Sequence, residues 1–212
     1  MFTGIVKEIG TINSVQKKGG GLLIRVSAPK CSLDLDIDDS VAMNGVCQTV
    51  IAQNGKTFEV EAVEETLKKT TFGSLKNGDK VNLELPMKLN DHLGGHLVLG
   101  HVDTIGKIES IKKQDSSWWI TIQIPKQFTH YVIPVGSIAI DGVSLTIAEV
   151  GKSTISVSII PHTFESTIFK AYRKGTDVNL EFDIIGKYIE RLLARSYGKD
   201  KLTEKEMQEL GY

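Results

Sequence analysis

At 212 residues with 25 basic and 26 acidic side chains, the chain has a formal charge of −1, which excludes the broad basic field selected by nucleic acid or an anionic membrane surface. No run of about 18 apolar residues appears, and Met1-Phe2-Thr3-Gly4 has no charged stretch ahead of an apolar one, so neither a membrane span nor an export signal is predicted. Cys31 and Cys47 supply neither a disulfide framework nor a zinc site, and a soluble protein of the reducing cytoplasm is expected.

Along the chain the first landmark is Gly4-Ile5-Val6-Lys7-Glu8-Ile9-Gly10-Thr11-Ile12, which returns at an offset of 96 (Gly4 to Gly100) as Gly100-His101-Val102-Asp103-Thr104-Ile105-Gly106-Lys107-Ile108. The next, Ala42-Met43-Asn44-Gly45-Val46-Cys47-Gln48-Thr49, returns at an offset of 97 (Ala42 to Ala139) as Ala139-Ile140-Asp141-Gly142-Val143-Ser144-Leu145-Thr146. Gly78-Asp79-Lys80-Val81-Asn82-Leu83-Glu84 returns at 97 again (Gly78 to Gly175) as Gly175-Thr176-Asp177-Val178-Asn179-Leu180-Glu181. Matches in one order at one spacing predict two copies of one domain, each with its own core. Two similar folds give two similar pockets, which suits a protein handling two similar ligands.

Within each copy apolar residues alternate with a period of two. Phe58-Glu59-Val60-Glu61-Ala62 and Val81-Asn82-Leu83-Glu84-Leu85 do so in the first. Ile120-Thr121-Ile122-Gln123-Ile124, Ile155-Ser156-Val157-Ser158-Ile159 and Val178-Asn179-Leu180-Glu181-Phe182 do so in the second. Each pattern puts one face inward and one toward water. Asn54-Gly55, Asn77-Gly78 and Gly151-Lys152 supply turns, and short strands at this spacing predict a small closed antiparallel barrel in each half. Short helical inserts are expected at Glu64-Glu65-Thr66-Leu67 and Thr163-Phe164-Glu165-Ser166. Residues 86–97 read as a linker, opened by Pro86 and made flexible by Gly94-Gly95. After the second copy, Ile185, Tyr188, Ile189, Leu192 and Leu193 form one stripe of an amphipathic helix. Docking of that stripe on the same helix of other subunits is expected. Thr203-Glu204-Lys205-Glu206 has the capping-box spacing of one last helical turn.

Several familiar chemistries are excluded. His92 and His96 have the spacing of a metal pair, but Gly94-Gly95 breaks the helix that would align them. Residues 95–100 have the gap of a phosphate loop, yet His101-Val102 stands where Lys-Ser/Thr is required, and no dinucleotide fingerprint is present. What remains is a glycine turn followed by a small polar residue and, two places on, a threonine. Residues two apart on a strand share a face, so Cys47 points with Thr49 and Ser144 with Thr146. Such a face suits a flat heterocycle rich in amides; an ordinary turn before a half-buried strand is the plain alternative. The copies also differ: Ile5 becomes His101, Lys7 becomes Asp103 and Cys47 becomes Ser144. Unequal polar groups on one scaffold allow two sites that bind alike and act differently, and His101 can exchange a proton near neutrality.

Met1-Phe2-Thr3-Gly4-Ile5-Val6, Asn44-Gly45-x-Cys47-x-Thr49, Gly94-Gly95-His96-Leu97-Val98-x-Gly100-His101-Val102-Asp103, Ile140-Asp141-Gly142-Val143-Ser144-Leu145-Thr146 and Ile160-Pro161-His162-Thr163 together resemble the riboflavin synthase family, from Met1 to about Leu193. The resemblance implies an all-β chain of two tandem six-stranded antiparallel Greek-key barrels plus a C-terminal amphipathic helix. It divides the chain into lumazine-binding barrels at 1–96 and 97–184 and a trimerisation helix and tail at 185–212. It implies a dismutation in which two 6,7-dimethyl-8-(1-D-ribityl)lumazine molecules exchange a four-carbon unit, with no metal or redox cofactor. It also implies a cytoplasmic homotrimer with sites shared between subunits, associated with lumazine synthase.

By match to the family's pocket, Phe2, Gly4-Ile5-Val6, Cys47-Gln48-Thr49 and Glu61-Ala62-Val63-Glu64-Glu65-Thr66 line the N-terminal site. Gly100-His101-Val102, Val135, Ser144-Leu145-Thr146 and Ile160-Pro161-His162-Thr163-Phe164-Glu165 line the C-terminal one. The resemblance makes His101 the proton-transfer group, Ser144 or Thr146 the ring-polarising group, Asp183 an assisting acid, and Ser40 with Cys47 the activators of the nucleophile. Gln48 departs from the family's Leu, and Val135 from a Lys found in some members; the first is expected to touch the ring or disturb packing. The rival reading is a non-catalytic lumazine- or flavin-binding antenna protein of the same fold. His101, Ser144, Thr146 and the helical stripe favour the enzyme. A barrel pair serving nucleic acid is disfavoured by balanced charge and the lack of a stacking aromatic stripe.

Overall fold

The computed structural model of the chain describes residues 1–199, with side chains to 193. Thr203-Glu204-Lys205-Glu206 lies outside the described residues.

The first barrel comprises β1 (Glu8–Lys18), β2 (Gly21–Ser27), β3 (Ser40–Met43), β4 (Val46–Asn54), β5 (Thr57–Ala62) and β6 (Lys80–Glu84), closed in the order β1-β2-β5-β4-β3-β6. The second comprises β7 (Thr104–Lys113), β8 (Trp118–Gln123), β9 (Ser137–Ile140), β10 (Val143–Val150), β11 (Thr154–Ile159) and β12 (Asp177–Phe182), closed as β7-β8-β11-β10-β9-β12. Every pairing is antiparallel, and the strand order is the same Greek key in both. The ladders slip at equivalent points, between Ile12 and Ser14 and between Ile108 and Ser110, then between Val50 and Ala52 and between Ile147 and Glu149. Such bulges add the local twist that a six-stranded sheet needs to close on itself. Short helices α1 (Glu64–Lys69) and α2 (Pro161–Ser166) follow β5 and β11, where the sequence predicts them.

Each barrel owns a core. Ile24, Val26, Val41, Val60 and Leu83 fill the first; Ile120, Ile122, Ile138, Val157 and Leu180 fill the second. These are the inward positions of the period-two pattern, each side chain worth about 1.5–3 kcal/mol when buried. The outward faces of β6 and β12 depart from expectation. Asn82, Glu84, Asn179 and Glu181 sit where the alternation points to water, yet all are buried. Their faces form the joint between the barrels. Asn82 Nδ2 donates to Asp141 O at 3.0 Å and its Oδ1 accepts from Ile168 N at 2.9 Å; Asn179 Nδ2 donates to Asn44 O at 2.9 Å and its Oδ1 accepts from Thr71 N at 2.8 Å. The reciprocity is that of an approximate twofold axis. On it the turns Asn44-Gly45 and Asp141-Gly142 meet back to back, where a Cβ on Gly45 would lie 2.6 Å from Gly142 N.

The segments preceding the two barrels are exchanged. Phe2 pairs with Val98 (N–O 2.7 and 3.1 Å), and these two pack with Ala42 and Ala139 in a small core between the barrels. From there Val6 packs on the second barrel's core, while Val102 packs on the first. Residues 86–97 are correspondingly pinned: Met87 N donates to Met1 O (2.9 Å) and His96 N to Thr3 O (3.2 Å). Gly95 is there for close approach, since a Cβ would stand 2.1 Å from Thr3 O.

The C-terminal helix, α3 (Ile184–Lys199), is tied to its own chain by Lys187–Asp103 at 2.5 Å, by His130–Glu190 at 3.1 Å and by the Tyr131 hydroxyl donating to Glu190. Its apolar stripe stays open, with Tyr188 66 % and Leu192 63 % exposed.

Candidate functional site

The exchange decides which residues share a pocket. At the start of β4, Cys47 N donates to Gly100 O at 2.9 Å; at the start of β10, Ser144 N donates to Gly4 O at 2.8 Å. A Cβ on Gly100 would lie 2.6 Å from that of Cys47, and one on Gly4 2.5 Å from that of Ser144. Only glycine allows either approach, and both glycines sit at positive φ, +78° and +77°. The grouping expected from sequence is therefore corrected. Gly100, His101 and Val102 stand with Cys47 on the first barrel, and Gly4, Ile5 and Val6 stand with Ser144 on the second.

A cleft of about 170 Å³ follows on the first barrel, lined among others by Cys47, Glu65, Thr66, Lys69, Gly100 and His101. His101 is exposed and Cys47 half-buried, with Glu65 and Lys69 paired at 2.8 Å along the rim. Thr49 is exposed on the same strand face as Cys47, and Ser40 stands opposite Thr49 in the ladder. The equivalent face of the second barrel carries Ser144 half-buried and Thr146 exposed, with Ile160, Pro161, His162 and Glu165 exposed and Thr163 half-buried at the start of α2.

The exchanged segments are held from below by two carboxylates. Glu84 accepts from Thr3 N (2.7 Å), Thr3 Oγ1 (2.7 Å) and Gly4 N (3.0 Å). Glu181 accepts from Leu99 N (2.7 Å), Gly100 N (2.9 Å) and His101 N (3.1 Å). Burial raises both carboxyls above their ordinary range, and the donated bonds oppose it. Above the second of these pockets, His96 Nδ1 lies 2.7 Å from Ser144 Oγ. Glu84, Glu181 and His96 were not among the candidates read from sequence. The signal for the two glutamates was their recurrence at one offset on the same face as Asn82 and Asn179; His96 stood out only through its place in the Gly94-Gly95-His96 motif and its metal-pair spacing with His92, which the intervening glycines rule out.

The other candidates are not among the residues lining the first-barrel cleft. Phe2 is fully buried between the barrels, packed with Ala42, Val98 and Ala139. Ala62 is in the first core; Phe164 is stacked on Trp118 (centroids 4.0 Å, planes 5° apart). Gln48 lies on the same strand face as Val46 and Val50, 6 % exposed, its Oε1 without a partner and its Nε2 donating to Cys47 O. Of the two outcomes expected for this polar group, a ring contact or a disturbance of packing, its burial with an unpartnered oxygen among the barrel's inward side chains favours the second. Leu145, its counterpart, packs on the second core. Glu61 is exposed and paired with Lys18 (2.7 Å), and Val63 and Glu64 are exposed beside it. Val135 is 80 % exposed in the left-handed region at φ +62°. Asp183 accepts from Ile185 N at 3.0 Å, as an N-cap of α3 does. It also lines a groove of about 740 Å³ with Ile133, Ser137, Ile185, Ile189 and Leu193. Cys31 is no nucleophile: burial first, then Glu8, pushes its thiol up to about 12.

A family model described as "Lumazine binding domain" matches twice, at residues 3–86 and 99–183. The riboflavin synthase of Actinobacillus pleuropneumoniae is 42% identical over 195 residues, covering 92% of this chain and 91% of that protein. The riboflavin synthase of Bacillus subtilis (strain 168) is 40% identical over 196 residues, covering 92% and 91%. Among solved structures, LumP complexed with 6,7-dimethyl-8-(1'-D-ribityl) lumazine superposes with a TM-score of 0.78, and LumP complexed with riboflavin with 0.80. Both are 26% identical and cover 86% of this chain and 99% of LumP. With two copies of the lumazine-binding domain on two closed barrels and synthase relatives matching nearly end to end, the chain belongs to the riboflavin synthase family.

Proposed function

We propose that this chain catalyses the riboflavin synthase reaction. Two molecules of 6,7-dimethyl-8-(1-D-ribityl)lumazine exchange a four-carbon unit, one becoming riboflavin and the other 5-amino-6-(D-ribitylamino)uracil. The observation that carries this reading is the 42% identity to a riboflavin synthase over nine-tenths of both chains, spanning both barrels. LumP supports ligand binding by the same fold at 26% identity; the higher identity to the synthases favours the enzyme over a carrier.

The chemistry asks the protein for placement and proton traffic. Deprotonating the acidic C7 methyl of one lumazine gives a carbanion delocalised over the ring, which attacks the second ring. Holding two reactants in register supplies up to about 7–11 kcal/mol. His101, exposed beside Cys47, takes the proton-transfer role, and Ser144 or Thr146 polarises the ring in the other pocket. Ser40 and Cys47 activate the nucleophile that adds to the donor ring, and Asp183 assists.

A cleft of about 170 Å³ is smaller than the roughly 300 Å³ at which ligand sites begin, so one barrel alone encloses too little of a lumazine. A neighbouring subunit's barrel completes the site in this proposal, brought there by the open stripe of α3 in a homotrimer. Residues 1–96 and 97–184 are the two binding units, each using the other's leading segment, and 185–212 serve assembly. Two unpaired cysteines suit the cytoplasm, and the proposal extends to a complex with lumazine synthase, which co-sedimentation of the purified pair tests.

The first test mixes purified protein with the lumazine alone, in chelator, and follows both products. One riboflavin per two lumazines consumed is expected; tight fluorescent binding without turnover would replace the synthase by a carrier. Deleting the chain after Gly186 should dissociate the assembly and abolish turnover together, and full activity in a truncated monomer by sedimentation would sink the shared site.

A further inference from the structure

His96 is a buried histidine for which the reaction described above has no use. It is 8 % exposed, it lies on the segment leading to the second barrel, and its Nδ1 is 2.7 Å from Ser144 Oγ while its Nε2 is buried with no partner. The placement is fixed on three sides. His96 N donates to Thr3 O, Gly95 is pressed against Thr3 O and Ser144, and Ser144 N is itself held by Gly4 O.

The tautomer follows from which atom is left alone. Burial lowers the imidazole's proton affinity, with Asp183 opposing, so the ring is held toward its neutral form with one N–H. A proton on Nε2 would be a buried donor with no acceptor, the costlier kind of orphan; a bare lone pair there costs less. The proton therefore sits on Nδ1 and is donated to Ser144 Oγ. A serine oxygen that accepts from the ring keeps its own O–H free, and Ser144 is half-buried on the strand face it shares with exposed Thr146.

The first barrel has no such arrangement. Its equivalent of Ser144 is Cys47, whose sulfur has no histidine partner among the described residues. The two otherwise alike pockets thus differ in having an oriented hydroxyl donor in one only.

We propose that His96 is a positioning residue that turns the Ser144 hydroxyl into a fixed hydrogen-bond donor toward the ring bound at the second barrel, where it stabilises negative charge developing on a ring oxygen or nitrogen. This rests on the synthase reading and names a part of its machinery.

The test compares wild type with His96→Ala, His96→Asn, His96→Gln, Ser144→Ala and the His96→Ala/Ser144→Ala double variant, following riboflavin formation and, by fluorescence, ligand binding. Asn places an amide N–H where Nδ1 stands; Gln places it nearer Nε2. Losing one oriented hydrogen bond in the transition state lowers kcat about tenfold. His96→Ala should show that loss with binding little changed, Asn should recover most of it, and Gln should not. In the Ser144→Ala background, removing His96 should cost nothing further. Equal losses from His96→Ala in both backgrounds, or Gln rescuing as well as Asn, would overturn the proposal. If His96→Ala does not fold, the Asn–Gln comparison decides alone. An inactive wild type would instead overturn the synthase reading.

Discussion

Asp141 is where the fold makes its sharpest thermodynamic demand. It occupies the joint turn at φ +43°, and its equivalent in the first copy is Asn44 at φ +45°. Both do one job: Asn44 Oδ1 accepts from Asn82 N at 2.7 Å, Asp141 Oδ1 from Asn179 N at 2.9 Å. The other Asp141 oxygen accepts from the Tyr172 hydroxyl. Burial raises this carboxyl from 3.8 to about 7, against the pull of those two bonds. A carboxyl whose affinity for its proton rises on folding stabilises the fold fully below its unfolded value. That contribution is lost as pH rises through the interval up to about 7, and is gone above it. Between pH 5 and pH 8 the loss is roughly 3 kcal/mol, an upper figure because the site can relax. Asp141→Asn removes the ionisation and keeps the Oδ1 acceptor, and Asn tolerates a left-handed backbone. The Tyr172 oxygen then accepts from the new amide. Urea unfolding of both proteins at pH 5 and pH 8 is the assay, with the variant expected to lose less stability across the interval. Glu84 and Glu181, also raised by burial, tilt both curves alike, so the difference isolates Asp141. Parallel pH dependences in the two proteins would refute the reasoning.

Gln48→Leu should gain about 1–2 kcal/mol, since it removes a buried unpartnered oxygen at a site where the second barrel already holds Leu145; a rise of several degrees in Tm checks it, and a fall would mean the amide packs better than its hydrogen bonding indicates. Val135→Asn should gain about 1 kcal/mol by relieving a β-branched residue at φ +62°, the place held by Asp38 at φ +74° in the first copy, read from the urea midpoint. Phe2→Ala should cost about 3–5 kcal/mol, as a fully buried ring leaves a cavity between the barrels; a loss under 1 kcal/mol by denaturant titration would show that the joint does not depend on it.

The barrels were legible because their periodicity is local: a strand with one face in a core writes that fact into every second residue, as at Phe58, Val60 and Ala62. The joint was not, because burial there falls on the other face of β6 and β12 and is satisfied by polar atoms. Asn82 and Glu84 read as solvent-facing in sequence, and their partners lie about 60 to 85 residues away or more, at Asp141, Ile168 and Thr3. The candidate site was legible as motifs and misgrouped as pockets. Repeat matching aligns Gly4 with Gly100 and Cys47 with Ser144, but nothing in a one-dimensional match says that each leading segment crosses to the other copy. Gln48 shows the same limit: the chain shows a polar residue beside Cys47, and only the strand register turns it into the barrel.

The crossing changes what duplication accomplishes. Had each leading segment stayed with its own barrel, the pockets would pair Ile5 with Cys47 and His101 with Ser144. Exchange pairs His101 with Cys47 in one, and Ile5 with Ser144 in the other, where His96 stands behind the serine. One pocket thereby gathers an exposed imidazole and a thiol; the other gathers an apolar side chain and an oriented hydroxyl. Both histidines ride on the same stretch of chain, five residues apart, yet His96 meets Ser144 on the second barrel while His101 stands by Cys47 on the first. Two differences between the copies, Ile5 against His101 and Cys47 against Ser144, make the pockets chemically unequal; under the proposed reaction the first would handle the proton and the second, with His96 behind its serine, would stabilise charge.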